Sequence, residues 1–289
     1  MATRRQLRVL GFGPDHVRAN LDARRWTAYG RKVVALQTGP LSQEQVRWLA
    51  VLDGGPHCVL GGISALHAHG LQGFPQDRVQ TLVPSGNRTV QTNLYVRRQS
   101  RRLGAAAVHP VKAPPCLRVG PALIDALSQL DLPARGCALM AAVVQQRLLP
   151  ASQLVACVSA ARTIPHRALY VAVARDIEGG SQSLLEIDFV KLARRAGLPS
   201  PRRQSVRTDA FGHRRYLDAD FDLFAVEVDG ALHLRPLAWW DDMFRQNAIV
   251  LTGKPVLRFS SVAIRLYPDQ VIEQLRQAAA RWSRQVSDN

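Results

Sequence analysis

The stretch Arg215-Tyr-Leu-Asp-Ala-Asp-Phe-Asp-Leu-Phe-Ala-Val-Glu-Val-Asp-Gly230 constrains the fold more than any other part of the chain. Apolar and polar residues alternate on both sides of Asp222-Leu223, and period two is the signature of β-strands. Folding at that dipeptide predicts a hairpin that pairs Phe221 with Phe224, Asp220 with Ala225, Ala219 with Val226 and Asp218 with Glu227. One face then carries Leu217, Ala219, Phe221, Phe224, Val226 and Val228. The other carries Tyr216, Asp218, Asp220, Glu227 and Asp229. A slip of one residue would bury the acids, so the apolar face sets the register. Asp-Leu is not a favoured two-residue turn, so turn chemistry adds nothing to that assignment.

Directly opposed side chains have Cβ atoms about 4.5–5.5 Å apart. Asp218 and Glu227 would therefore repel, with Asp229 adding to the repulsion. A divalent cation such as Mg²⁺ or Mn²⁺ relieves this, because hard cations take carboxylate oxygens and keep several waters. A water acidified by such an ion can attack a phosphodiester. The plain alternative is a solvated acidic face on an edge hairpin.

The flanks extend the pattern into a module spanning residues 181–289. Ser183-Leu-Leu-Glu186 begins a helix with Leu185, Phe189 and Leu192 on its apolar side, ending at Gly197. Gln204–Thr208 is strand-like. A long helix is expected from Pro236 to Gly253, then a strand at Lys254–Phe259 and a terminal helix from Pro268. The order suits a small α/β nuclease core.

The module resembles a domain family related to very-short-patch-repair endonucleases, within the PD-(D/E)xK nuclease superfamily. The residues that carry the resemblance are Ser183-Leu-Leu-Glu-Ile-Asp-Phe189, Gly197-Leu-Pro, Arg214-Arg-Tyr-Leu-Asp218, Val226-Glu-Val-Asp-Gly230, His233, Arg245-Gln-Asn247 and Val256-Leu-Arg-Phe259. The resemblance implies that Asp218 and Glu227 are the metal-binding carboxylates. It also implies that Glu186 is the acid often found on the first helix. Glu186 equally completes a capping box with Ser183. Asp229 stands where the general pattern has lysine, as it does in the related branch. His233, four residues past the strand, is a candidate base or electrophile, or else a loop histidine. Arg245 faces a phosphate or pairs with Asp241 at i,i+4.

Charge points the same way. The 289 residues carry 38 Lys+Arg against 22 Asp+Glu, a net of +16, which favours a polyanionic partner. Residues 1–102 hold +10 of it, whereas ten of the 22 acids fall between Glu186 and Asp242. That asymmetry suggests separate binding and chemistry modules. Hydrophobic residues at 47% exclude a disordered chain. No apolar run suits a membrane helix, and no secretory signal follows the basic Met1-Ala-Thr-Arg-Arg opening. Cys58, Cys116, Cys137 and Cys157 are widely spaced and read as buried, reduced thiols of a cytoplasmic protein.

Residues 1–40 read as helix, tight turn, helix and basic hairpin. Arg4–Leu10 ends at Gly11 and Gly13, Pro14 opens a second helix, and Trp26–Leu36 turns near Gly30. This is the order of a winged helix-turn-helix, with Arg18, Arg24, Arg25, Arg31 and Lys32 as candidate nucleic-acid contacts. The other reading is a small helical cap with a solvated basic face. The stretch resembles the N-terminal region of AbiEi-type antitoxin proteins through Arg5-Gln-Leu, Gly11–Pro14 and Ala23-Arg-Arg-Trp26 leading into Gly30-Arg-Lys-Val-Val-Ala-Leu36. That resemblance implies a winged-helix DNA-binding element.

Residues 41–180 are expected to be a mixed, mostly helical connecting domain without a catalytic constellation. Ser42 caps a helix, with Gln45 completing a capping box. His67 and His69 are two apart, a poor metal pair and better structural groups. Val79–Val83 and Leu94–Arg98 are strand-like. Arg97, Arg98, Arg101 and Arg102 are expected to extend the basic surface.

The chain is thus expected to be α/β (α+β overall), with a winged helix at 1–40, a connecting domain at 41–180 and a restriction-endonuclease-like domain at 181–289. The leading expectation is a duplex-DNA-binding, Mg²⁺-dependent deoxyribonuclease. The alternative is a non-catalytic transcriptional regulator or antitoxin. A cognate toxin or second nuclease subunit is a candidate partner, and a membrane is not.

Overall fold

The computed structural model describes residues 1–101, 103–179, 182–208, 214–229 and 255–287. The architecture is mixed α and β, and the chain divides into two compact units, Met1–Gln129 and Leu130–Asn289.

The first unit opens with β1 (Ala2–Thr3), α1 (Arg4–Val9), α2 (Pro14–Asp22), β2 (Thr27–Tyr29) and β3 (Val33–Ala35). Thr3 and Gln6 form a capping box that starts α1. Gly11, at φ +88°, makes the turn, and Pro14 starts α2 with Asp15 in its first turn. The strands form one antiparallel sheet in the order β1-β3-β2. Leu7, Val17 and Val34 bury the helices on that sheet, with Phe12, Leu21 and Trp26 packed around them.

Next come α3 (Gln43–Gly54), β4 (Val59–Leu60), α4 (Gly62–Ala68), β5 (Val79–Pro84), β6 (Val90–Gln91), β7 (Tyr95–Ser100) and α5 (Val119–Leu127). The sheet order is β4-β5-β7-β6, with β5 and β7 parallel. Ser42 and Gln45 form the expected capping box. The histidines are structural: His67 Nε2 bonds the Gly73 carbonyl at 2.9 Å, and His69 Nε2 bonds that of Leu117 at 2.8 Å.

The expected basic surface is corrected at Arg97 and Arg98, whereas Arg101 is exposed and Arg102 lies outside the described residues. Arg97 is 6% exposed and pairs with Asp53 at 2.6 Å, and Arg98 pairs with Asp125 at 2.9 Å. The strand is covered by α3, so its inward arginine needs a carboxylate rather than a phosphate.

The second unit starts with α6 (Pro133–Gln145), α7 (Ala151–Ala160) and α8 (Arg167–Gly179), broken at or just before the prolines as the sequence predicts. It continues with α9 (Gln182–Arg195), β8 (Arg202–Thr208), β9 (Arg214–Asp220), β10 (Ala225–Asp229), β11 (Val256–Ser260), α10 (Ser261–Leu266) and α11 (Pro268–Ser287). The four strands form one sheet in the order β11-β10-β9-β8, antiparallel except for the parallel pair β10 and β11. A parallel pair needs a crossover of a dozen or more residues, and 26 separate Asp229 from Val256. The helix expected at 236–253 lies outside the described residues.

Phe189 and Leu192 of α9, Phe259 of β11 and Leu275 of α11 close over Ala219, Phe221, Phe224, Val226 and Val228. These last five are on the face that alternation assigned to the core. The four cysteines are free, three buried and Cys157 partly exposed. Among the described residues, no helix is long and apolar enough to cross a membrane.

Candidate functional site

The hairpin turns at Asp222-Leu223. The Phe221 N–H donates to the Phe224 carbonyl at 2.9 Å, and the two rings stack at 4.9 Å. That aromatic pair anchors a tip whose residues have no turn preference of their own. Beyond it Asp220 faces Ala225 and Ala219 faces Val226. Asp218 and Glu227 are the next residues along the two strands.

At Asp220 and Glu227 the acidic face is not a solvated edge. β10 lies between β9 and β11, and Asp220 and Glu227 are each only 6% exposed. Burying a carboxylate costs several kcal/mol unless a charge or donors compensate, about the penalty measured for ions in protein interiors. Part of the compensation is Arg258. It sits beside Glu227 in the parallel register, and its Nε lies 3.6 Å from Glu227 Oε2. Sequence reasoning did not single out Arg258 as a site residue. The available signal was a lone cation in Val256-Leu-Arg-Phe259, in phase with the polar positions of a strand.

The remaining residues of this group distribute as follows. Asp218 lies on β9, Glu227 and Asp229 on β10, and Glu186 on α9. α9 begins at Gln182, so Ser183 is already helical. His233 and Arg245 lie outside the described residues. Among the described residues, no three His, Cys, Asp or Glu side chains gather to hold a metal. The buried oxygens of Glu227 and Asp220 are nevertheless the hard donors that Mg²⁺ or Mn²⁺ takes.

Arg18, Arg24, Arg25, Arg31 and Lys32 are all exposed. Arg18 is on α2. Arg24 follows it with φ +53°, and Arg25 Nε donates to Asn20 Oδ1 at 2.9 Å. Arg31 and Lys32 lie at the β2–β3 turn. There the Arg31 carbonyl accepts from Arg4 Nε, and Lys32 Nζ donates to the Asp53 carbonyl at 3.3 Å. These bonds tie the turn to α1 and α3 and leave the Arg31 guanidinium in solvent.

No family model, curated protein or solved structure matches the chain.

Proposed function

We propose that the chain is a DNA-binding protein whose C-terminal module hydrolyses phosphodiesters with a divalent cation. The observation that carries the reading is the pair of buried carboxylates, Asp220 and Glu227, on the polar face of interior strands. Asp218 and Asp229 each stand two residues from one of them on the same strands, in phase with the same face. Clustered, buried acids in a chain of net charge +16 fit a site better than they fit a scaffold.

Asp218, Glu227 and Asp229 would hold the ion, with Glu186 assisting. A bound Mg²⁺ or Mn²⁺ supplies an acidified water and a charge that steadies the phosphate. Arg258 fixes the Glu227 carboxylate, and His233 is the candidate group to move a proton.

The N-terminal element supports the DNA-binding half. The order β1-α1-α2-β2-β3, with β1 completing the sheet, is that of a winged helix-turn-helix. In this reading α2, with Arg18, enters the major groove. Arg24, Arg25, Arg31 and Lys32 then meet phosphates.

The test is calorimetric titration of Mn²⁺ and Mg²⁺ into the full chain and into Asp218→Asn and Glu227→Gln variants. The same samples are assayed on supercoiled plasmid, with melting curves to check folding. Wild type is expected to bind metal and nick plasmid, and folded variants to lose both. One observation favours the non-catalytic regulator: Arg258 already neutralises part of the Glu227 charge. Under that reading wild type binds no metal and leaves plasmid intact, yet still retards duplex DNA.

A further inference from the structure

A cavity of about 270 Å³ in the first unit is lined by Arg47 of α3, by Ser64 and His67 of α4, and by Gln76, Asp77 and Arg78 leading into β5. We propose that it binds a small phosphorylated ligand, a site independent of the nuclease reading.

Charge is the first argument. Arg47 and Arg78 are both half-buried, and neither has a hydrogen-bond or ion-pair partner among the described residues. Elsewhere in the same unit, Arg97 and Arg98 each pair with a carboxylate. A half-buried guanidinium loses part of its hydration and regains it only from an acceptor. Two of them at one concavity, against the single exposed acid Asp77, leave a site with net positive charge. Arginine is the side chain whose planar fork matches phosphate.

The framework is the second argument. Ser64 is buried; it accepts from the Gln80 N–H at 2.8 Å and donates to Gln76 Oε1 at 2.8 Å. This fixes the Gln76 amide with its NH₂ group left as a donor. His67 Nε2 donates to the Gly73 carbonyl and pins the loop between α4 and β5. That loop carries Gly73 at φ +76° and, unusually for a bulky residue, Phe74 at φ +55°. Backbone held in this region tends to cluster at ligand clamps.

Size is the third. The cavity lies just below the range of about 300–1,000 Å³ typical of drug-sized ligands, which points to an occupant of about mononucleotide size or smaller. Folded proteins seldom leave a polar cavity of this kind dry, so the arginines are solvated until such an anion arrives.

Calorimetry of the full chain with inorganic phosphate, deoxythymidine monophosphate and thymidine tests the site. The two phosphate-bearing probes are expected to bind and thymidine to give no heat. Arg47→Gln and Arg78→Gln should each weaken binding about tenfold or more, the cost of one charged hydrogen-bonding group. Arg47→Lys should lose less, because it keeps the charge without the fork. Arg175→Gln, an exposed arginine that lines no part of the cavity, should change nothing. Melting temperatures recorded on each variant show that the fold is intact. Three results would overturn the proposal: equal binding of thymidine, equal weakening by Arg175→Gln, or binding of every phosphate probe weaker than about 10 mM.

Discussion

Arg97 and Asp53 show how single residues of this chain manage buried charge. Arg97 reaches Asp53 Oδ2 at 2.6 Å and Tyr95 donates its hydroxyl to the same oxygen at 2.9 Å. Burial alone would raise the Asp53 carboxyl, but hydrogen bonds from Arg97 and Tyr95 and the Arg97 charge outweigh it and hold the group below its ordinary value. A depressed carboxyl contributes stability above its unfolded pKa and loses it as pH falls through the folded value. Asp53→Asn is therefore expected to cost about 1–3 kcal/mol at pH 7, because Arg97 is left without its counter-charge. The gap between variant and wild type should close as pH falls below about 4. Urea unfolding at a series of pH values measures it, and a gap that stayed constant into acid would refute the ion-pair account. Tyr95 titrates in the opposite sense. Burial, then the bond to Asp53 and the charge of Asp53, push its phenol up to about 12. The unfolded chain ionises first, so wild-type stability should fall between pH about 10 and 12 by more than that of Tyr95→Phe.

At the scale of elements, the contact of α6 with α8 reverses a familiar rule. Gly→Ala inside a helix normally adds about 1 kcal/mol. Gly136 is inside α6, but a Cβ there would lie 2.7 Å from Tyr170 Cζ on α8. Gly136→Ala should instead destabilise by about 1–3 kcal/mol, the usual cost of overpacking. The Tyr170 hydroxyl is buried and has no hydrogen-bond partner among the described residues. Tyr170→Phe should leave stability unchanged or raise it by up to about 1 kcal/mol, and should soften the Gly136→Ala penalty. Thermal melts of the two single variants and the double variant decide it, and an additive double variant would mean that the two sites do not touch. How much of the fold was legible follows from the same elements. The β9–β10 hairpin was readable to the residue because alternation leaves one register that keeps the acids out of the apolar core. The helices between Val119 and Gly179 were readable because Pro133 opens α6, Pro150 caps α7 and Pro165 stands just ahead of α8. The two-residue strand β1 carries no periodicity and was not. Nor was the buried state of Arg97, since an arginine in a strand reads as a surface cation until its carboxylate, Asp53 of α3, is placed beside it. Arg258 stayed hidden for a topological reason: it meets Glu227 only because β11 returns parallel to β10, a partnership that no local pattern encodes.

For the whole molecule, the governing quantity is the distribution of its +16 charge, of which residues 1–102 hold +10. If those cations neutralise phosphates, affinity for duplex DNA falls with salt by a slope of about 0.9 per phosphate contacted. Anisotropy of a fluorescent duplex of about 25 base pairs, read in EDTA at several salt concentrations, measures that slope for the full chain. Replacing Arg18, Arg24 and Arg31 with Gln should reduce it by about one each and weaken sequence-matched and random duplexes alike, because phosphate contacts position without specifying. Glu227→Gln should leave the slope unchanged, since its carboxylate is buried among strands and paired with Arg258. The EDTA condition separates the two activities: phosphate neutralisation by arginine needs no divalent ion, whereas the proposed hydrolysis does. A slope insensitive to the three arginines would remove α2 and the β2–β3 turn from the interface. Binding that disappears in EDTA would instead place the DNA on the carboxylate site, with the cation as the bridge between two anions.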